Sequence, residues 1–376
     1  MTVHKDENAK KNKWYFVFYT GEVKNGVRER IKRRGFKTQK EAVAAEAEAR
    51  TSVNKGDFIE YSKILFEEYL VEWLKNKRNV SEETRELYGS FFKIYIIPLL
   101  GSIPLVKINA THIDNFLTNL KDRGLAESTI KRVFSVVNAS LNAAATKDLI
   151  LKNPCNKVDK PTVSRRNMVV WEPEYAFDFL EKTKGKSRYW IAIYLAIMTG
   201  MRQGEILGLR WSDIDLDNKT LHIQQTVTRK RRIKAGAKSD SSIRSVALSS
   251  DTIKTLKEQR QFILQERMLL GKDYQDHDLV VCTSFGGPAT SRSVAKVWEK
   301  FIKTYEVRKI TFHDLRHTHV SMLIKQKVHI KIISERLGHA SVSITMDLYG
   351  HLLPNMQEDA AESIDSLNWR VQSTKE

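Results

Sequence analysis

The stretch His313-Asp314-Leu315-Arg316-His317-Thr318 decides how the C-terminal half of this chain is interpreted. Two other stretches stand out beside it, namely Thr199-Gly200-Met201-Arg202-Gln203-Gly204-Glu205 and Leu337-Gly338-His339. Tyr349 follows the last of them ten residues later. Together they supply guanidinium, imidazole and phenol groups, but no cluster of carboxylates of the kind that holds Mg²⁺.

These side chains suit the transfer of a phosphoryl group. A guanidinium fork matches two phosphate oxygens and keeps its charge, so Arg202 and Arg316 can neutralise a phosphoryl transition state without a metal. The phenol of Tyr349 is a competent covalent nucleophile once another group takes its proton. His313 and Arg316 have i, i+3 spacing, which lets both face one site on a helix.

Composition and charge restrict the class of protein. Lys and Arg number 63 against 45 Asp and Glu, a net charge of +18, which favours nucleic acid as partner ahead of an anionic membrane surface. No apolar run is long enough to span a bilayer, and the first residues lack the apolar core of a secretory signal. Cys155 and Cys282 are too few for a disulfide framework. We therefore expect a cytoplasmic protein without membrane association.

Residues 1–57 are predicted to form a small sheet and one helix. Trp14 to Tyr19 is aromatic and β-branched, Asn25-Gly26 favours a hairpin turn, and Thr38 to Glu41 has the pattern of a capping box. We expect aromatic side chains on one face of the sheet and basic ones on the other. The basic residues of this region are Arg28, Arg30, Lys32, Arg33 and Arg34. They are candidate DNA contacts, and a solvated charged face is an equally good interpretation.

Residues 61–156 are predicted to form a bundle of four amphipathic helices. The second helix is expected to carry Leu87, Phe91 and Ile94 on its apolar stripe and to be ended by Pro98 and Gly101. Thr111 is expected to cap the third helix and Ser128 to begin the fourth. Lys131 and Arg132 on the fourth helix are candidate DNA contacts.

Residues 157–170 are predicted to be a basic linker, in which Arg165 and Arg166 can follow a phosphate backbone. A larger mixed domain over 171–376 is expected to follow. Its predicted helices span about 189–198, 203–209, 251–270, 291–305, 313–326 and 330–337, and its predicted strands span 221–223 and 245–248. Between those strands lies a very basic excursion that includes Arg229, Arg231 and Arg232.

With these motifs in this order, the sequence resembles the tyrosine recombinases, the phage-integrase family of site-specific DNA recombinases. The resemblance covers the whole chain and is strongest to integrases of phages and integrative conjugative elements of Gram-positive bacteria. It implies a mainly α fold with small β-sheets (α+β): an arm-type DNA-binding domain, a helical core-binding domain and a catalytic domain. The catalytic constellation of the family maps to Arg202, Lys238, His313, Arg316, His339 and Tyr349.

The lysine is the most open of these assignments. The family places it on a β-hairpin, where it is the expected general acid for the departing 5′-oxygen. Lys238 in AKSDSSIRSVALS is the best match, and Lys230 and Lys234 in the same excursion are its alternatives.

The resemblance also implies a mechanism. Tyr349 would attack a scissile phosphate, giving a 3′-phosphotyrosyl link and a free 5′-hydroxyl. Arg202 and Arg316 would clamp the non-bridging oxygens, with a hydrogen bond from His339. His313 is the expected general base for the phenol. The covalent link conserves the energy of the phosphodiester, so we expect no cofactor: neither a metal nor ATP.

Partners follow from the same resemblance. We expect a homotetramer on double-stranded attachment sites of core and arm type, assisted by a host DNA-bending protein and an excisionase. A terminal helix within 352–367 is expected to dock on a neighbouring copy. Such an enzyme would integrate a mobile element or prophage and help to excise it.

Other interpretations remain at this point. His313, His317 and His319 have spacings that suggest metal binding, but no carboxylate or cysteine completes a ligand set. A non-enzymatic DNA-binding regulator would explain the charge but not the coexistence of the catalytic residue types. A type IB topoisomerase would share the chemistry without needing an arm-binding domain.

Overall fold

The computed structural model describes residues 2–7, 12–24, 27–54, 64–164, 168–228, 232–235, 243–350, 361–362 and 364. The chain divides into two compact units, 1–165 and 166–376. This division falls inside the predicted linker 157–170. The finer domain boundaries stay a prediction, and the predicted turn at Asn25-Gly26 lies outside the described residues.

The first unit begins with an antiparallel sheet in the order β1-β2-β3. Its elements are β1 (Val3–Lys5), β2 (Trp14–Lys24), β3 (Val27–Phe36) and helix α1 (Gln39–Asn54). Phe16, Phe18 and Ile31 are buried on one face of the sheet and cluster with Ala49 of α1. The predicted sheet-plus-helix is confirmed. The Thr38 hydroxyl accepts from the Glu41 amide at the start of α1, as the capping pattern indicated.

Helices make up the rest of the first unit. They are α2 (Phe66–Asn76), α3 (Glu82–Phe91), a π-helical segment (Phe92–Gly101), α4 (Ala110–Asp122) and α5 (Glu127–Thr146), with short 3-10 turns at Leu105–Lys107 and Pro154–Lys157. Apolar stripes from each helix meet in one core that includes Leu70, Ile96, Leu117 and Leu141. The predicted helical bundle is therefore confirmed.

Several details of the predicted bundle are wrong. Pro98 does not end the second helix, because it lies inside a π-helical continuation that ends at Gly101, the other predicted terminator. Leu87 and Ile94 are exposed instead of buried. Asn109, not Thr111, caps α4 by accepting from the His112 amide at 3.0 Å. α5 begins at Glu127, one residue before Ser128.

The second unit combines helices with small antiparallel sheets. Its helices are α6 (Pro173–Thr183), α7 (Trp190–Thr199), α8 (Gln203–Gly208), α9 (Ser250–Leu270), α10 (Ser291–Thr304), α11 (Asp314–Lys325), α12 (Ile330–Leu337) and α13 (Val342–Tyr349), with 3-10 turns at Trp211–Asp213 and Gly271–Asp273. Its strands are β4 (Ile214–Asp215), β5 (Thr220–Ile223), β6 (Gln225–Val227), β7 (Ile233–Ala235) and β8 (Arg244–Ala247). One sheet has the order β4-β5-β8, and β6 pairs with β7.

Helix α7 lies at the centre of this unit. It is apolar on all sides and almost wholly buried, as expected for a helix inside a core. It ends at Gly200, whose φ of 67° is the left-handed conformation that favours glycine. The predicted helices and the two predicted strands, β5 and β8, are confirmed. Helices α6 and α13 were not predicted, and the β6–β7 hairpin was expected only through the family resemblance. Among the described residues, no helix is both long and apolar enough to cross a membrane.

Candidate active site

The C-terminal end of α12 gathers three arginines from separate segments. The carbonyl oxygen of Arg336 accepts from Arg244 Nε at 2.7 Å. The next carbonyl, of Leu337, accepts from Arg316 Nη2 at 2.7 Å, and that of Gly338 accepts from Arg202 Nη2 at 3.2 Å. The last carbonyls of a helix have no partner within it and carry its negative dipole end, which favours cations. A helix terminus thus places three guanidiniums side by side.

Glu205 connects two of these arginines. Its Oε1 accepts from Arg202 Nη1 at 2.8 Å, and its two oxygens accept from Arg244 Nη1 and Nη2 at 3.2 and 2.9 Å. Burial by itself would raise the pKa of Glu205, but hydrogen bonding and charge from Arg244 and Arg202 hold it below its usual value. Glu205 is therefore an ionised carboxylate that holds Arg202 and Arg244 together.

Arg316 is the most enclosed of the three. It is 3% exposed and donates a second hydrogen bond, from Nη1 to the Gly200 carbonyl at 2.6 Å. Burial and the nearby charge of Arg202 lower the pKa of Arg316 to about 9, so the guanidinium is still charged at neutral pH. The Arg202 side chain is 39% exposed and is open to a ligand.

Tyr349 ends α13 and is 1% exposed. It belongs to a buried cluster with Val320 and Ile324 of α11 and Ile333 and Leu337 of α12, and its hydroxyl contacts Nδ1 of His317. Burial raises the pKa of Tyr349 to about 12, and the positive charge of Arg316 opposes that rise. Burial and the neighbouring His313 lower the pKa of His317 to about 4, so this imidazole is neutral at pH 7.

The two other predicted histidines flank this pair. His313 precedes α11, and its ring stands edge-to-face with that of His317 at 5.1 Å between centroids. Burial and the charge of Arg316 lower the pKa of His313. Nδ1 of His339 lies 2.8 Å from the Thr345 hydroxyl of α13. Burial, then the charges of Arg316 and Arg202, lower the pKa of His339 to about 4. The structure therefore brings Arg202, His313, Arg316, His339 and Tyr349 into one connected site.

His319 faces away from the site. It is buried, with Nδ1 2.8 Å from the Ile197 carbonyl and Nε2 3.1 Å from Arg336 Nε. Within the described ranges, no three His, Cys, Asp or Glu side chains are arranged to hold a metal ion.

The lysine predicted to be catalytic, Lys238, is not among the described residues. Its alternative Lys230 and the neighbouring Arg229 and Arg231 also lie outside them. Lys234 is part of β7, paired with Thr226 of β6, so it is on a hairpin as the resemblance requires. Arg232 precedes this strand and is exposed.

The predicted DNA contacts of the N-terminal sheet fall on two faces. Arg30, Lys32 and Arg34 are exposed on the face opposite to α1, where Lys32 and Arg34 lie over the Tyr15 ring at 4.9 and 5.5 Å. Arg33 pairs with the buried Phe16 and so lies on the face covered by α1. The side chain of Arg28 is outside the described set. The expected separation of faces is thus only partial, since Tyr15 shares the basic face.

The remaining predicted contacts are on α5 and in the linker. Lys131 and Arg132 are exposed beside the buried stripe of Ile130 and Val133. Arg165 and Arg166 belong to the part of the chain that the structure does not describe.

Sequence reasoning missed two residues of the site. His317 was considered only as a metal ligand, although its i+4 spacing from His313 places both rings on one helix face. Arg244 was passed over among many basic residues, yet its side chain is only 6% exposed. The sequence signal for Arg244 was the alternation in the strand RSVA. Val246 is buried, and Arg244, two residues before it, lies on the same side of the strand and faces the end of α12.

Comparisons with known proteins identify the family. The phage integrase family matches residues 172–356, an arm DNA-binding domain matches 2–53, and the N-terminal SAM-like domain of phage integrases matches 65–121. The ICEBs1 integrase of Bacillus subtilis is 30% identical over 69% of this chain and 72% of its own length.

Solved structures show the same fold. The Tn1549 transposon integrase in complex with a circular intermediate DNA is 20% identical, covers 81% of this chain and 99% of its own, and has a TM-score of 0.67. A lambda integrase tetramer bound to a Holliday junction is 17% identical, covers 92% and 94%, and has a TM-score of 0.58. The chain belongs to the phage integrase family of tyrosine recombinases. It is a site-specific recombinase that breaks and rejoins DNA.

Proposed function

We propose that this integrase inserts a mobile element or prophage into its host DNA, and helps to excise it, through a 3′-phosphotyrosyl intermediate at Tyr349. The observation that carries the proposal is the juxtaposition of a phenol, Arg316 and Arg202 around the end of α12. The phenol oxygen forms a bond to phosphorus, and the bond from phosphorus to the 5′-oxygen breaks. The pair of guanidiniums neutralises the charge of the pentavalent phosphorane.

Other groups complete the reaction. His339, whose Nδ1 already faces Thr345, offers its other ring nitrogen to a phosphate oxygen. His313 is exposed at the start of α11, where it can reach DNA. Lys238 is the proposed donor of a proton to the departing 5′-oxygen, with Lys230 and Lys234 as alternatives. This scheme uses no metal and no ATP.

The partners follow from the domains. Residues 1–57 are proposed to bind arm-type sites, 61–156 core-type sites, and 171–376 to perform catalysis, joined by the linker 157–170. We infer a homotetramer, since a related integrase is a tetramer on a Holliday junction. A host bending protein and an excisionase would assist it on DNA in the cytoplasm of a bacterial host. The terminal helix would dock on a neighbouring copy; of it, Ala361, Glu362 and Ile364 are described as helical and exposed.

A suicide duplex, nicked beside the cleavage point of the core site, tests this function. Wild type should form a covalent adduct at one position, in EDTA as well as in Mg²⁺. Tyr349→Phe should bind the duplex normally and form no adduct, because only the attacking oxygen is lost. Tyr305→Phe, which removes a phenol oxygen in the aromatic core, is the matched control and should keep the adduct.

Each outcome separates the alternatives. Adducts at many positions would indicate a topoisomerase, and binding without any adduct would indicate a regulator. Full adduct from Tyr349→Phe would place the nucleophile elsewhere. Loss of the adduct in EDTA would refute the metal-free scheme.

A further inference from the structure

We propose that His317 is the group that takes the proton of Tyr349 during cleavage and returns it during ligation. This inference rests on the proposed function, in which Tyr349 is the nucleophile. It assigns to His317 the role that the family resemblance gives to His313.

The first argument is the hydrogen bond of the phenol. The Tyr349 hydroxyl contacts Nδ1 of His317, and among the described residues it has no other hydrogen-bond partner. A buried hydroxyl needs an acceptor for its proton, and a neutral imidazole has one nitrogen that accepts. The arrangement that satisfies both groups has the phenol donating to Nδ1 and the imidazole proton on Nε2.

The second argument is the position of the pair relative to the phosphate site. His317 follows Arg316 directly on α11, and its ring lies 5.5 Å from the Tyr349 ring between centroids. The charge of Arg316 is close enough to act on the pKa of Tyr349. One helix therefore carries both the proposed phosphate-binding guanidinium and the proposed proton acceptor, next to the nucleophile.

The third argument is the electrostatic setting. The charged or titratable groups around His317 include His313, Asp314 and Arg316, and also His339 and Tyr349. In the DNA-free protein burial, together with His313 and Arg316, keeps the imidazole neutral against the opposing charge of Asp314, so Nδ1 is available to accept. A phosphodiester bound at Arg316 brings a negative charge beside the ring, which favours the imidazolium formed when the proton arrives.

The proposed step balances. The phenol O–H bond breaks and its proton moves to Nδ1 of His317, while the phenol oxygen forms the bond to phosphorus. The bond to the 5′-oxygen breaks, and that oxygen takes a proton from the separate general acid. Ligation reverses each transfer, so His317 ends the cycle neutral.

The geometry favours His317 over His313 for this role. The two rings meet edge-to-face, and it is the His317 ring that approaches Tyr349, at 5.5 Å between centroids. The His313 side chain is exposed, and the structure shows no hydrogen bond from it to the phenol. His313 is then free to contact DNA.

The test compares single-turnover cleavage of the suicide duplex by full-length variants. His317→Ala should lose about 10²-fold or more, the usual contribution of a positioned general base. His317→Asn places an amide oxygen where Nδ1 was but cannot keep a proton, so it should stay slow. His277→Ala, an exposed histidine after α9, is the control and should match wild type. Melting temperature and core-site binding show that each variant is folded.

Two further measurements identify the proton involved. A duplex with sulfur in place of the 5′-bridging oxygen needs no general acid, so it should not rescue His317→Ala. A 3,5-difluorotyrosine at position 349 has a more acidic phenol, so it should speed up His317→Ala more than it speeds up wild type. If His317 has only a structural role, the difluorotyrosine should speed up His317→Ala no more than it speeds up wild type.

The contrary results are equally clear. Wild-type rates in His317→Asn would reduce His317 to a positioning residue, and rescue by the sulfur substrate would assign it to the leaving group. If His317→Ala cleaves as fast as wild type, or faster, the contact between His317 and Tyr349 only holds the phenol in the DNA-free protein and takes no part in cleavage. If wild type itself forms no adduct, the proposed function fails before this inference is tested.

Discussion

Arg244 uses every nitrogen of its guanidinium on hydrogen bonds inside the site. Two of them bind the carboxylate of Glu205 and the third binds the Arg336 carbonyl. Glu205 in turn binds Arg202 through the guanidinium and through the backbone amide. Arg244 thus acts on the phosphate site indirectly, by fixing the carboxylate that orients Arg202.

Replacing Arg244 should therefore affect both stability and rate. Arg244→Ala leaves the buried Glu205 with one partner, which should cost about 3–5 kcal/mol of unfolding free energy. Misplacing Arg202 should lower the cleavage rate by on the order of 10²-fold with little change in DNA affinity. Arg244→Lys keeps the positive charge but loses the planar guanidinium, so its losses of stability and cleavage rate should be smaller than those of Arg244→Ala. Denaturant melts and single-turnover cleavage measure the two effects.

The stabilisation provided by Glu205 should depend on pH in a definite direction. The pKa of Glu205 is lowered in the folded chain, so its stabilisation is present above the ordinary value of 4.5 and is lost as pH falls through the folded pKa. Arg244→Ala should raise that folded pKa and move acid unfolding to higher pH. Arg267→Ala, which breaks an exposed ion pair with Asp276, is the control and should change stability by less than about 1 kcal/mol.

At this scale the sequence predicted residue types better than contacts. Arg202, Arg316, His339 and Tyr349 were all recognisable from short motifs. The pairing of Tyr349 with His317 was not, because it joins side chains 32 residues apart and depends on how α13 packs against α11. No local pattern encodes that packing.

Among the elements, the junction between α7 and α8 leaves no room for an added side chain. Gly200 has a φ of 67°, and a Cβ there would lie 2.6 Å from His319 Cδ2 and 3.0 Å from Leu337 Cδ2. Its carbonyl also accepts from Arg316. The site therefore depends on a glycine that contributes no side chain.

Gly200→Ala should combine two penalties. The left-handed backbone costs about 1–2 kcal/mol for alanine, and the overpacking adds about 1–3 kcal/mol. Gly185→Ala is the matched control, because its φ of 72° is similar but nothing lies within 4 Å of the added Cβ. Calorimetry should show a larger loss at Gly200, accompanied by slower cleavage. Equal losses at the two positions would mean that His319 and Leu337 move aside.

Helices were predicted well where the local sequence pattern was simple. α7 follows from its apolar run and from Gly200 after it, and both α7 and α9 lie within a residue or two of their predicted limits. The π-helical segment was missed because Pro98 normally ends an α-helix, whereas the wider π-helical turn accommodates it. α13 was missed because its apolar residues are half exposed and show no one-sided stripe.

For the whole molecule, the charge of +18 predicts DNA affinity that falls steeply with salt. Not every basic residue contributes equally to that dependence on salt. Lys32→Ala and Arg34→Ala, on the exposed face of the N-terminal sheet, should each reduce the slope of log K against log salt for arm-site DNA by about 1. Arg33→Ala, on the face covered by α1, should change it less. Titrations at several salt concentrations check this, and equal slopes for all three variants would contradict a one-faced contact.

The three arginines on the end of α12 also determine how the protein responds to heat. Their like charges repel one another, and Glu205 offsets only part of that repulsion. An anion that binds among them removes the rest, and it stabilises the folded chain more as its concentration rises above its Kd. The resting enzyme is therefore less heat-resistant than the enzyme at work, and its melting temperature reports whether the catalytic site is occupied.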